Sequence, residues 1–181
     1  MTDIRHIINY ICWRLSSEPG KLGATKLNKM LWFIDTQAYL KLGRPISDAK
    51  YFKQPYGPVP ENINEIITEL CNAGILFTGK DRYYGFAKAH YSCLKKPETS
   101  IYTPEQIQLM NEVIDEIGAN HTAVTISNLS HNRAWDIAAM GEEIPIYAIL
   151  AQPDEITDDD REWADRELDK YLSKKKLFAV N

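Results

Sequence analysis

The chain has little of what marks a metal-binding, secreted or membrane-spanning protein. It contains three widely spaced cysteines and no Cys-x-x-Cys pair, which disfavours structural zinc and favours reduced thiols in the cytoplasm. No apolar run approaches the roughly 18 residues that a membrane span requires. The N-terminus carries Asp3, Arg5 and His6 among isoleucines, which is not a signal-peptide pattern. We therefore expect a cytoplasmic protein with no membrane partner.

Positive charge is also scarce. The 21 lysines and arginines are outnumbered by 25 aspartates and glutamates, which gives a formal net charge of −4. Proteins that bind nucleic acid usually show a basic face. Lys21, Lys26, Lys29 and Lys41 are candidates for one, since the spacing of Lys26 and Lys29 puts both on the same side of a helix. A solvated helix face is the preferred interpretation, and nucleic acid is not an expected partner.

No group of residues predicts catalysis or a bound cofactor. Ser130, His131 and Asp136 are close in sequence, but adjacent helical residues do not face each other, and a serine nucleophile needs its base within hydrogen-bond reach. We expect Ser130 and His131 to bond to the backbone or to make a polar contact under Trp135. The four histidines show no metal-ligand spacing. We expect a protein that is not an enzyme and uses no cofactor or metal.

Apolar periodicity predicts a mainly α fold. With 44% apolar and 25% charged residues, the composition is that of an ordinary globular domain. Apolar residues recur at helical spacing, and several of these segments are bounded by capping residues, prolines or glycines. Helices are predicted over residues 3–17, from Thr25 to the Gly43-Arg44-Pro45 stop, over 61–73, from Thr103-Pro104-Glu105 onward, over 122–132 and over 157–173.

One small β-hairpin is predicted among these helices. Alternating residues on both sides of Gly79-Lys80-Asp81 place it at about residues 75–92, with the turn at this tripeptide. The expected architecture is one compact helical domain over residues 1–153. Residues 154–181 then form a helix with an acidic start that packs on this domain or extends it.

The same hairpin carries a candidate partner surface. Its aromatic residues are Tyr83, Tyr84, Phe86 and Tyr91. Because side chains alternate between the two faces of a strand, burial accounts for only part of this set. Aromatic residues that stay exposed are good anchors for a protein partner.

Residues 54–60, Gln-Pro-Tyr-Gly-Pro-Val-Pro, form the most constrained segment of the chain. Three prolines and one glycine restrict the backbone, and Gly57 precedes a proline, which favours extended conformations. A structural role accounts for every residue of this segment: a rigid turn that orients the third helix, with Tyr56 packed on the core. A partner-binding loop is the alternative.

Three blocks in this order resemble the Panacea domain of the SocA-like antitoxin family. They are Lys-Leu-Asn-Lys-Met-Leu-Trp-Phe at 26–33; Gly-Arg-Pro at 43–45 with Tyr-Gly-Pro-Val at 56–59; and Leu-Ser-His at 129–131 with Trp135, then Ile-Pro-Ile at 144–146. The resemblance spans about residues 4 to 150. It assigns structural or partner-binding roles to Lys26, Leu27, Lys29, Tyr56, Gly57, Pro58, Val59, Ser130, His131 and Trp135.

The resemblance implies an antitoxin of a type II toxin–antitoxin system that neutralises a cognate protein toxin by direct binding. The family also occurs on phages and mobile elements. Delivery of the toxin to an AAA+ protease is an alternative, because one family member resembles such an adaptor. A winged-helix DNA-binding regulator is a third possibility. It is disfavoured because residues 54–79 contain Glu61, Glu65 and Glu69 but no lysine or arginine.

Overall fold

The structure, a computed structural model, describes residues 1–18, 21–83 and 86–151 and, beyond them, Glu162, Arg166 and Leu168. The chain divides into two compact units, Met1–Leu150 and Ala151–Asn181. In the second unit Glu162, Arg166 and Leu168 are helical, and Arg166 Nη1 lies 3.8 Å from Glu162 Oε2. The rest of the helix predicted at 157–173 lies outside the described residues.

The first unit is mainly α-helical, as the sequence predicts. Asp3 caps the first helix by accepting a hydrogen bond from Arg5 N, Gly43 ends the second with φ +74°, and Thr103 forms a capping box with Gln106. Among the described residues, no helix is both long enough and apolar enough to cross a bilayer. The helices are α1 Ile4–Arg14, α2 Ala24–Leu42, α3 Ile63–Asn72, α4 Pro104–Asn120, α5 Ala123–Leu129 and α6 Arg133–Ile137, followed by a 3-10 helix, Ile146–Leu150.

The single helix predicted over residues 122–132 is wrong at its C-terminal end. Helix α5 stops at Leu129, and Asn132 then caps α6 by accepting a hydrogen bond from Trp135 N at 3.2 Å. Asparagine is a preferred N-cap because its side chain binds the free amides of a first turn. Trp135 therefore belongs to a separate short helix.

Two antiparallel hairpins are present in the described residues, where the sequence predicts one. The additional hairpin pairs β1, Tyr51–Gln54, with β2, Gly57–Pro60, so that the proline-rich segment forms a turn and a strand. Strand β2 tolerates Pro58 and Pro60 because β1 is its one partner strand and its other edge needs no ladder donors.

The predicted hairpin is confirmed, but its turn is misplaced. Strands β3, Leu76–Tyr83, and β4, Phe86–Cys93, pair from Leu76↔Cys93 to Tyr83↔Phe86. Gly79 lies within β3, opposite His90. A Cβ at Gly79 would lie 2.2 Å from His90 Cε1. The glycine thus makes room for a ring rather than forming a turn.

A buried carboxylate fixes the segment that leads into β1. Asp35, on α2, is 1% exposed, and its two oxygens accept hydrogen bonds from four donors. Burial raises the pKa of Asp35, and these hydrogen bonds offset part of the rise. The donors are Ile46 N at 3.0 Å, Ser47 N at 2.8 Å, the Ser47 hydroxyl and Tyr51 OH at 2.7 Å.

Candidate functional site

Residues from all three motif blocks meet at the turn between β1 and β2. Gly57 has φ +97°, a conformation that glycine adopts readily and other residues rarely do. A Cβ at this position would lie 2.1 Å from Ser130 Oγ and 2.6 Å from Lys29 Nζ. Helix α2, strand β2 and the end of α5 therefore approach so closely that only glycine fits between them.

Three side chains donate hydrogen bonds to carbonyl oxygens of the turn segment. The acceptors belong to residues 54, 56 and 58. We call Lys29, Ser127 and Trp135, which come from α2, α5 and α6, the turn clamp. The clamp therefore holds the turn by its backbone and leaves the Tyr56 side chain exposed. Its bonds are Trp135 Nε1 to Gln54 O (3.1 Å), Ser127 Oγ to Tyr56 O (2.8 Å) and Lys29 Nζ to Pro58 O (2.8 Å).

Trp135 is itself held on both faces of its ring. The His131 ring stacks on it with centroids 3.9 Å apart and an interplanar angle of 16°, and Lys53 Nζ lies 4.0 Å from the Trp135 ring centroid. Burial, followed by the nearby charge of Lys29, lowers the pKa of His131. Ser130 Oγ donates to Ser127 O at 2.6 Å. His131 thus stacks on Trp135, and the hydroxyl of Ser130 is engaged by the α5 backbone.

The expectation that Lys29 lies on a solvated face is wrong. Lys29 is 1% exposed, because it extends under the turn to reach Pro58 O. Burial lowers the pKa of its ammonium to about 7. Lys26, one turn away at the N-terminal side, is half-buried, and its Nζ lies 3.4 Å from Gly118 O.

The burial of Lys29 predicts that stability rises with pH just above neutrality. Its pKa is about 7 when folded and about 10.4 when unfolded, so between these values the unfolded chain binds the additional proton. The free energy of unfolding should therefore increase by about 1–2 kcal/mol from about pH 7 to pH 8.5. Urea titrations over this range measure it, and Lys29→Met is the control in which the increase should disappear. An equal increase in Lys29→Met would contradict the assignment.

Tyr56 does not pack on the core as the structural interpretation predicts. Its side chain is 74% exposed, because Ser127 binds the Tyr56 carbonyl on the inner side of the turn and the ring extends from the other side. The exposed ring borders a groove of about 590 Å³ between the turn and the beginnings of α2 and α3.

The aromatic hairpin only partly supports the candidate partner surface. Tyr91 is 8% exposed and belongs to the core, because β4 packs on α1, which corrects its assignment to a partner surface. Tyr83 and Phe86 form the last pair of the hairpin, and Tyr84 lies outside the described residues.

Sequence reasoning missed Ser127 and Lys53. Ser127 is three residues before Ser130, a spacing that places both hydroxyls on one face of α5. That spacing was the available signal. Lys53 is 9% exposed and donates to Ala138 O at 2.9 Å, and nothing in the local sequence marks it.

The family described as antitoxin SocA-like, Panacea domain, matches residues 27–136, which include every member of the turn clamp and more than half of the chain. The chain belongs to this family. No curated protein and no solved structure matches the chain. In this Panacea domain, Leu27 is buried and Val59 packs against the core. Motif residues thus contribute both to the core and to the clamped turn, which Lys29 and Trp135 hold and which exposes the side chain of Tyr56.

The side chains that line the groove are those of a binding surface. The part of the chain that the structure describes holds no group of three or more His, Cys, Asp or Glu residues placed to hold a metal ion. The groove instead offers an exposed ring, carboxylates and amides. Such an arrangement is suited to recognition of a protein surface.

Proposed function

We propose that this chain is the antitoxin of a type II toxin–antitoxin system and neutralises a cognate protein toxin in the cytoplasm by direct binding. The observation that carries the proposal is the clamped turn. Motif residues from separate blocks, Lys29 and Trp135, hold this turn by hydrogen bonds to its carbonyl groups, and the turn presents Tyr56 at 74% exposure. An exposed aromatic side chain on a fixed backbone is typical of a binding surface.

The proposed mechanism is steric and requires no reaction. The antitoxin would cover the active site or the substrate-binding face of the toxin, and neutralisation would last as long as the complex. A turn that is already ordered loses little conformational entropy when it binds. A gain in affinity of this kind is expected mostly as slower dissociation, since affinity differences between related complexes lie mostly in the dissociation rate.

Co-expression of the chain with the proposed toxin, which we expect a neighbouring gene to encode, tests this function. We expect growth to be rescued by the full chain and the two proteins to co-purify as one complex. A version with an early stop codon is the control for transcription of the pair. Failure of both rescue and co-purification would overturn the proposal.

The same strains separate direct binding from proteolytic delivery. Direct neutralisation predicts that rescue persists in hosts that lack each of the cytosolic AAA+ proteases in turn, and that the toxin accumulates in the complex. Loss of rescue in one such host, with toxin that is stable there and degraded in the parent, would instead identify an adaptor.

A further inference from the structure

The groove beside the turn combines three kinds of surface. The turn contributes exposed apolar groups, α3 begins with carboxylates, and amide side chains lie on both sides. Its volume of about 590 Å³ is enough for several side chains of a partner. The lining residues that matter here are Pro55, Tyr56, Glu61 and Glu65, with the amides Asn28 and Asn64.

The exposed charged side chains of this surface are carboxylates, and the basic residue that lines the groove, Lys29, is 1% exposed and bonded to Pro58 O. Residues 54–79 contain Glu61, Glu65 and Glu69 and no basic residue. Arg5 binds Glu69, with Nε at 3.1 Å from Oε2. Glu61 and Glu65 are exposed and form no ion pair with any residue that the structure describes. Two carboxylates are therefore available at the groove for a cation from outside the chain.

The exposed tyrosine of the groove, Tyr56, is carried by a fixed backbone. The clamp fixes the carbonyls of Gln54, Tyr56 and Pro58, so the Tyr56 ring is carried by an ordered backbone. Tyrosine is enriched among the residues that dominate binding energy, because it combines a large apolar ring with a polar hydroxyl. A tyrosine on a fixed backbone also loses less entropy on association.

The side-chain amides at the groove can still form hydrogen bonds with a partner. In the described part of the chain, the side chains of Asn28, Asn62 and Asn64 make no hydrogen bond, and Asn62 does not cap α3 although it occupies the capping position. Each amide offers two donors and one acceptor. These groups can bond the backbone of a segment that lies along the groove.

We infer that this groove is the toxin-docking surface, and that its occupant is a toxin segment in which a lysine or arginine lies beside an apolar side chain. The inference rests on the proposed function and names the contact through which it acts. The basic group pairs with Glu61 and Glu65, and the apolar group packs on Tyr56 and Pro55. Charge complementarity then selects the segment, and the ring supplies most of the affinity.

Affinity measurements on the purified complex test the groove. The probe is the toxin encoded beside the chain, in an inactive form, titrated against the full-length antitoxin. We expect Tyr56→Ala to weaken binding at least about tenfold. Its matched control is Tyr147→Ala, which removes another exposed tyrosine (64% exposed) and should leave binding within about twofold.

The charge contribution has a separate signature. We expect Glu61→Gln combined with Glu65→Gln to weaken binding about tenfold at low salt, and the loss to shrink at about 0.5 M salt because exposed charges are screened. The control combines Glu105→Gln with Glu143→Gln, which removes the same charge from exposed positions outside the groove. All variants should unfold within a few degrees of the wild type, since the replaced side chains are exposed and the helix-start carboxylates Glu65 and Glu105 contribute about 0.3–1 kcal/mol each.

Photo-crosslinking identifies the occupant directly. Tyr56→p-benzoylphenylalanine should crosslink to one toxin peptide that contains lysine or arginine. The inference is overturned if both groove variants bind within about twofold of wild type, or if the crosslinked peptide is acidic. In either case a wild-type chain that still rescues growth leaves the proposed function standing, whereas wild-type antitoxin that fails to bind the toxin overturns both.

Discussion

Replacing Gly57 by alanine is expected to lower the free energy of unfolding by about 3–4 kcal/mol and to abolish neutralisation of the toxin. Two costs add. A side chain at φ +97° is strained, by about 1–2 kcal/mol. The new methyl group would also lie 2.1 Å from Ser130 Oγ and 2.6 Å from Lys29 Nζ, so that both side chains must move from a buried and closely packed region.

The functional loss follows from the same displacement. Movement of Lys29 breaks its bond to the Pro58 carbonyl, and movement of Ser130 disturbs α5, which carries Ser127. Two of the three clamp bonds are then weakened, and Tyr56 is no longer held in place. We expect lost affinity for the toxin even at temperatures at which the variant is still folded.

Denaturant unfolding and growth rescue measure these two effects, and Gly43→Ala is the matched control. Gly43 also has a positive φ, +74°, but a Cβ there meets nothing within 4 Å. Its replacement should cost only the strain, about 1 kcal/mol, and should leave neutralisation intact. If both variants lose the same free energy of unfolding, the close approach of Ser130 and Lys29 to Gly57 does not contribute to stability.

The second large effect is expected for Asp35→Ala, which should destabilise the domain by about 4 kcal/mol. The carboxylate accepts four hydrogen bonds from the segment 46–51. Its removal leaves two backbone amides and two hydroxyls without their partner in a buried site, and each unsatisfied buried donor costs about 1–3 kcal/mol when water cannot reach it. Because water enters part of the site, the total loss of stability stays below the sum of the four individual costs.

Chemical denaturation of Asp35→Ala, Asp35→Asn and Asp48→Ala tests this assignment. Asparagine keeps the shape and one acceptor oxygen, so Asp35→Asn should fall between wild type and Asp35→Ala. Asp48 is exposed and accepts one hydrogen bond, from Ile4 N at 3.0 Å, and its loss should cost about 1 kcal/mol. A change at Asp35 no larger than at Asp48 would contradict the role of the buried carboxylate.

The helices of this domain could be predicted because their signals are local. Apolar spacing and caps such as Thr103, Gly43 and Gly74 lie within a few residues of the helix ends that they define, and the family motif is likewise a matter of short blocks in order. These features predict fold class and family, since they do not depend on which elements meet in space.

The clamp could not be predicted, since its bonds join residues that are far apart in the chain. Lys29 and Pro58 are separated by 29 positions and Gln54 and Trp135 by 81. A lysine on an amphipathic helix is solvated in most proteins. Lys29 is buried because strand β2 lies over it and because Gly57, which has no side chain, leaves room for its Nζ. The exposure of Tyr56 has the same origin, because it depends on which side of the turn the clamp occupies.

The clamp separates the atoms that hold the turn from the side chain that the turn displays. Every bond of the clamp goes to main-chain oxygen atoms of Gln54, Tyr56 and Pro58, and every amino acid carries such an atom. The side chain at position 56 can therefore change without loss of any bond that maintains the fold. The residue that the turn displays can therefore be exchanged experimentally while the scaffold is kept, as loops are varied on a constant framework.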